Sequence, residues 1–290
     1  MACKIPWTED VNELLAFIKD YAEKYPKEEV PFLYFEYYPT SMFGAEGPTK
    51  ELLDTAVSDK PCLCQDFGEH LHWVNSKMLE AMEVTKDTPD SILGIAVFER
   101  DANGEPTGWV KESAWTYFAE TLYKNINWKP PMDMTSERLK PFFDFFRENG
   151  ITALADGLLE SEGQLKSIYE MDMAGELKIY YDGIVRFWRY EDLPEKIAIV
   201  KEYQKKYTTK HIKINTLKLF LDGTNESGNS ASLHPHVNDS TGTNYGEIAM
   251  ETDELKKCFL LSNKEGLDLH IIMVGHFVLV AMQLSKLKKK

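Results

Sequence analysis

Apolar residues recur at helical spacing near the N-terminus. Val11, Leu14, Leu15, Ile18 and Tyr21 fall on one face, which predicts a helix over 8–25. Thr8 is placed to cap it, Glu9 and Asp10 suit its positive end, and Pro26 stops it. Residues 31–38 (PFLYFEYY) have the aromatic density of a strand. From about 40 to 130 the chain is turn-rich, with short strand patterns at 95–99 and 108–111. Asn103-Gly104, a strong hairpin dipeptide, lies between them. This stretch reads as an insertion with its own small β structure.

From about 135 the rhythm becomes regular. Leu139, Phe142, Phe143 and Phe146 predict a helix over 135–148, ended by Gly150. A strand over 151–155 follows, then a helix opened by the capping-box pattern Ser161-Glu-Gly-Gln164 and closed by Gly175. Strands at 177–181, 212–221 and 267–274 alternate with helices at 192–207 and 252–265. Such alternation implies parallel strands joined by crossover helices. The expected fold class is α/β, a partial (β/α)8 TIM-type barrel with about four barrel strands and a β-rich insertion near the N-terminus. The expected organisation is an N-terminal barrel helix over 1–30, the insertion over 31–130, central βα units over 131–276 and a divergent tail over 277–290. No G-x-G-x-x-G follows a strand, so a dinucleotide-binding version has no support.

The 290 residues carry 33 basic and 47 acidic side chains, a net charge of −14. So acidic a surface repels phosphate backbones, and no nucleic-acid partner is expected. Lys286, Lys288, Lys289 and Lys290 read as a solvated tail. The four cysteines are too few for a disulfide framework in a chain this long. Cys62 and Cys64 read as buried thiols on one strand face. The N-terminus lacks the apolar core of a signal peptide, and the best apolar stretch, 269–284, is broken by His270, Gly275, His276 and Gln283. The expectation is a cytoplasmic protein without a membrane partner.

The segment most informative about chemistry is Leu217-Lys218-Leu219-Phe220-Leu221-Asp222-Gly223. Lys218, Phe220 and Asp222 share one strand face. Burial drives a lysine toward its neutral amine, which can take up carbon dioxide as a metal-bridging carbamate. The alternative is a lysine that snorkels to water or pairs with Asp222. His70-Leu-His72 and His234-Pro-His236 have the spacing of metal pairs, but loop or substrate-facing roles fit them equally.

One ordered set of short motifs is more specific. Lys60-Pro61, His70-x-x-Trp73-x-Asn75-Ser76-Lys77, Thr88-Pro89 and Gly104-Glu-Pro-Thr-Gly108-x-x-Lys111-Glu112 come first. Gly150-Ile-Thr152 and Lys218-x-Phe220-x-Asp222-Gly223 follow. Together they resemble the amidohydrolase superfamily, in the subgroup (amidohydrolase family 3) that includes N-substituted formamide deformylases. The resemblance runs from about residue 10 to 275. It implies a barrel hydrolase acting on a non-peptide amide or similar C–N bond of a small molecule. The implied cofactor is a divalent metal, zinc, at the C-terminal strand ends. Lys218 matches the family's fourth-strand metal-binding lysine, whereas His70, Trp73 and Asp222 are implied to face the substrate.

The pattern also breaks. The family's first-strand His-x-His, sixth-strand His and eighth-strand Asp have no counterpart, and a fifth-strand His is replaced by Ile272, with His270 two residues earlier. The chain therefore reads as truncated at both ends, with no activity of its own expected. A shift of reading frame near codons 272–276 accounts for the tail, and a divergent terminal helix is the alternative. The competing readings are an inactive remnant, or a half-barrel that binds a small molecule or pairs with another chain as a homo-oligomer.

Overall fold

The computed structural model describes residues 3–44, 46–89, 91–92, 96–129, 134–159, 161–237 and 241–274. The chain divides into two compact units. The first comprises Met1–Pro130 with Asp222–Ile248, and the second Pro131–Leu221 with Ala249–Lys290.

In the first unit, β1 (Cys3–Lys4) precedes α1 (Val11–Lys24), β2 (Leu33–Tyr38), α2 (Lys50–Asp54), β3 (Cys62–Asp66) and β4 (Leu71–Val74). Then come α3 (Ser76–Met82), β5 (Ser91–Ile92), β6 (Ala96–Arg100), β7 (Pro106–Lys111) and α4 (Ala119–Asn125). The strands form a seven-stranded mixed sheet in the order β1-β2-β3-β4-β7-β6-β5 among the described residues. β1, β2 and β3 run parallel, and the remaining pairings are antiparallel. The cap of α1 is Asp10 rather than Thr8, its side chain accepting from the Asn12 backbone N–H at 2.7 Å. Leu14 and Ile18 of α1 are buried with Leu33, Phe35, Cys62 and Cys64, within the first unit. Asn103-Gly104 turns the chain between β6 and β7, with Gly104 at φ 80°.

The second unit holds α5 (Ser136–Glu148), β8 (Ala153–Asp156), α6 (Glu162–Met173), β9 (Tyr180–Arg186) and α7 (Leu193–Tyr207). β10 (Ile212–Phe220), α8 (Thr252–Lys264) and β11 (Asp268–Ile272) complete it. All four strands are parallel, in the order β11-β10-β9-β8. Each strand thus pairs with its chain neighbour through a crossover, and the architecture is α/β. Leu165, Ile168, Val200, Leu217, Leu219 and Cys258 are buried together between the helices and one face of this sheet. β9 lies later than the expected 177–181, because it continues through Gly183. A β-carbon at Gly183 would lie 3.1 Å from Leu159, a tight contact, so the glycine eases packing inside the strand and is not a break. Gly275, His276 and the expected tail over 277–290 lie outside the described residues. No described helix is long and apolar enough to cross a membrane.

Candidate functional site

Each unit holds some of the residues that the motifs single out. In the first unit the hub is Glu112, directly after β7. Glu112 and Ser113 both adopt left-handed backbone conformations, at φ 50° and 52°, which non-glycine residues rarely do. One Glu112 carboxylate oxygen accepts from the Thr224 backbone N–H at 2.7 Å, from the Thr224 hydroxyl at 2.6 Å and from the Ser227 hydroxyl. The other lies 2.8 Å from Nδ1 of His70. Burial by itself would raise this carboxyl, but the bonds from His70, Ser227 and Thr224 together outweigh it and hold the group at about 2. The hydrogen bond to Glu112 raises His70 above its ordinary value, against a smaller opposing effect of burial. A β-carbon at Gly223 would lie 3.1 Å from a Glu112 oxygen and 2.7 Å from Asn229 Cβ, so the Asp-Gly step lets the loop approach the carboxylate.

Asp222 belongs to the same unit. It is buried, its carboxylate accepts from the Ala231 N–H at 3.2 Å, and its backbone bridges to Ile248. His70 and Asp222 are therefore both tied to the 222–231 segment. Trp73 sits differently. Its indole is fully buried against Tyr38 and Phe43 and donates to the Thr49 carbonyl at 2.8 Å, so it braces β4 from inside the core. His72, the other half of the His70-Leu-His72 pair, is buried against Trp115, and burial lowers it to about 3. His236 bonds the Ser230 carbonyl at 2.8 Å and His234 is exposed, so neither pair converges as metal ligands. A cavity of about 860 Å³ opens beside the hub, lined by Phe43, Leu71, Trp109, Lys111, Ser227 and His236 among others.

In the second unit the site residue is Lys218. It is 6% exposed, near the C-terminal end of β10, with Nζ 4.5 Å from the Phe220 ring centroid. Register pairs it with Arg186 on β9 and with His270 on β11, so three basic-type side chains stand level across three strands. Burial lowers the Lys218 amine, the Arg186 charge lowers it further, and Asp156 opposes both. Asp156, at the end of β8, is already engaged with the Tyr181 hydroxyl at 2.6 Å and the Gln164 side chain at 2.7 Å. A β-carbon at Gly157 would come within 3.3 Å of Nζ, so the glycine keeps room for the amine. Among the described residues Lys218 has no hydrogen-bond partner. That departs from the alternative in which it pairs with Asp222.

A model of the amidohydrolase family matches residues 1–281. The chain belongs to the amidohydrolase family. It is 28% identical over 268 residues to the exoenzymes regulatory protein AepA of Pectobacterium carotovorum subsp. carotovorum, covering 91% of this chain and 55% of that one. It is 24% identical over 239 residues to the putative amidohydrolase YtcJ of Bacillus subtilis (strain 168), covering 78% and 40%. An uncharacterized metal-dependent hydrolase from Pyrococcus horikoshii OT3 shares its fold with a TM-score of 0.57 at 18% identity, over 99% of this chain and 52% of that one. A second, from Pyrococcus furiosus, does so with a TM-score of 0.51 at 19% identity, over 99% and 54%. The chain spans about half the length of these relatives.

Family membership raises the question of a metal, and the donors can be tested directly. Lys218 suits a carbamate ligand, being poorly solvated and unpaired. Around it, however, Arg186 repels a cation and Asp156 is committed to Tyr181 and Gln164. Among the described residues no three His, Cys, Asp or Glu side chains lie together as a metal-ligand group. The described side chains do not by themselves supply the three or four donors such a site needs.

Glu112, Thr224, Ser227, Asp156 and Arg186 had no assigned role in the sequence reading. Asp156-Gly157 carried a usable signal, an Asp-Gly step at a strand end like Asp222-Gly223. Glu112 stood inside a quoted motif. Its partners lie 112 and 115 residues away, a distance no spacing rule bridges.

Proposed function

We propose that this chain is part of a hydrolase of non-peptide amides or similar C–N bonds, to which it contributes Lys218. The observation that carries the reading is the amine itself. It is nearly buried and held below its ordinary value at the C-terminal end of a parallel strand, in a chain of the amidohydrolase family. Ligand and catalytic groups of α/β barrels gather at those strand ends. A (β/α)8 barrel is the complete fold proposed, and N-substituted formamides are the substrate class suggested by the motif set. A divalent metal, zinc by the same resemblance, would require donors beyond the side chains described. His70 and Asp222 serve in this reading by fixing the 222–231 segment, with Trp73 as a positioning residue that braces β4.

The test is carbamate formation on the full chain. Carbon-13 bicarbonate should give a lysine carbamate signal that is absent from Lys218→Arg, with formamide hydrolysis lost in the same variant. A wild-type chain that forms no carbamate and hydrolyses no formamide, with or without added zinc, overturns the proposal. A second reading, a binding half-barrel without catalysis, is favoured by the cavity beside Glu112 and by the regulatory name of one relative. It predicts small-molecule binding that is indifferent to Lys218→Arg.

A further inference from the structure

We propose that the cleft between the end of β9 and α7 binds a compact carboxylate with an apolar body, held by Arg186 and Lys196. Both residues line a cavity of about 260 Å³ that lies wholly within the second unit. Leu158, Leu159, Val185 and Ile199 supply its apolar wall.

Arg186 is the anchor. Its guanidinium carbon lies 4.6 Å from the Trp188 ring centroid, and that ring stacks on Phe220 at 5.6 Å and 26°. Stacking fixes the plane of the guanidinium while leaving its N–H edge free to donate. Among the described residues that edge has no hydrogen-bond or ion-pair acceptor. The nearby carboxylate, Asp156, is committed to Tyr181 and Gln164. Among the described residues Lys196 pairs with the exposed Glu195, at 3.2 Å, a pairing that water largely screens. Register sets Lys218 beside Arg186 as well. Arg186, Lys196 and Lys218 are thus gathered near one strand end of a chain whose net charge is −14, and the carboxylate nearest Lys218 among the described residues, Asp156, is already hydrogen-bonded elsewhere.

A planar carboxylate satisfies this arrangement best, because two parallel N–H···O bonds match the guanidinium fork. The apolar wall then covers the remainder of the ligand. The site stands whether or not Lys218 forms a carbamate, so its test measures binding and not turnover.

Calorimetric titration of the full chain with hexanoate, hexanamide and inorganic phosphate decides the matter. Saturable hexanoate binding is expected, at least tenfold weaker in Arg186→Gln and more modestly weaker in Lys196→Gln, with hexanamide failing to bind. Arg186→Lys keeps the charge but loses the fork. It should fold as wild type and bind hexanoate less well, which preserves the test if Arg186→Gln is unstable. Equal binding of hexanoate and hexanamide would mean an apolar cleft only, and preference for phosphate would mean a general anion site. Either result, or hexanoate binding unchanged in both Arg186 variants, or no hexanoate binding at all, overturns the proposal.

Discussion

Several residues of the short motifs hold the first unit together. Lys60 is almost completely buried, and its ammonium caps the end of α1 by donating to the carbonyls of Ala22, at 3.2 Å, and Tyr25. Asn75 accepts from the Cys62 and Met78 N–H groups and donates to the Val57 and Lys60 carbonyls, so one amide stitches together β3, α3 and the segment that leads into β3. Glu112 does the same for the 222–231 loop. Glu112→Gln should destabilise the chain by about 1–3 kcal/mol, read by urea unfolding, because buried donors on Thr224 and Ser227 then face a weaker acceptor. The pH dependence has a defined sign. A carboxyl held at about 2 instead of 4.5 stabilises above its unfolded value, and this contribution is lost as pH falls from about 4.5 to 2. At neutral pH it amounts to roughly 3 kcal/mol, and it should vanish in Glu112→Gln. His70, raised from 6.5, stabilises below that value, and its share is lost as pH climbs through the raised one. His72 has the opposite sign. Held at about 3, it weakens the fold as pH falls from 6.5 toward 3, so His72→Phe should flatten that part of the stability profile.

Among the elements, β7 shows why a motif glycine cannot be exchanged. Gly108 has φ 97°, and a β-carbon there would meet the Val74 carbonyl at 2.5 Å and the Lys50 backbone N at 2.8 Å. Neither contact is with a flexible side-chain end, so the strand must move. Gly108→Ala is expected to cost at least about 2 kcal/mol and to lower Tm by several degrees in a thermal melt. A melt within one degree of wild type would show that β7 has another conformation within reach. In the second unit, most sequence-predicted elements stand within a residue or two of their observed limits. Helix ends were marked by Ser161 and Gly150, whose local chemistry needs no distant partner. The capping box at Ser161 formed only in part. Ser161 accepts from the Gln164 N–H, but the Gln164 side chain turns to Asp156 instead. A distant carboxylate won it over the local backbone.

For the molecule as a whole, the parallel sheet has edges at β8 and β11 among the described residues, and Ala153 and Ala155 of β8 are exposed. An unpaired edge invites pairing with another chain. Sedimentation should therefore show self-association that rises with concentration and falls in Ala153→Lys. A strictly monomeric wild type across the accessible range would remove this expectation. The charge of −14 bears on partners in the same way. No retention on immobilised DNA is expected at physiological salt, and retention there would point to a basic face that the totals conceal.

Sequence alone determined the α/β class, the alternating elements after residue 135 and the family, because periodicity, caps and short motifs are written in neighbouring residues. It also singled out Lys218 as a candidate, since a lysine in the middle of an apolar strand must either reach water, find a partner or lose its charge. Only the tertiary structure decided which motif residues brace the fold and which stand free. Trp73 and His72 proved to be interior because strand pairing, not spacing, determines which face is covered. Glu112 met Thr224 and Ser227, and Arg186 came level with Lys218, through packing and strand register that bring distant positions to within a few ångströms. Local pattern carries propensity, and the convergence of charge at a site depends on contacts far apart in the chain.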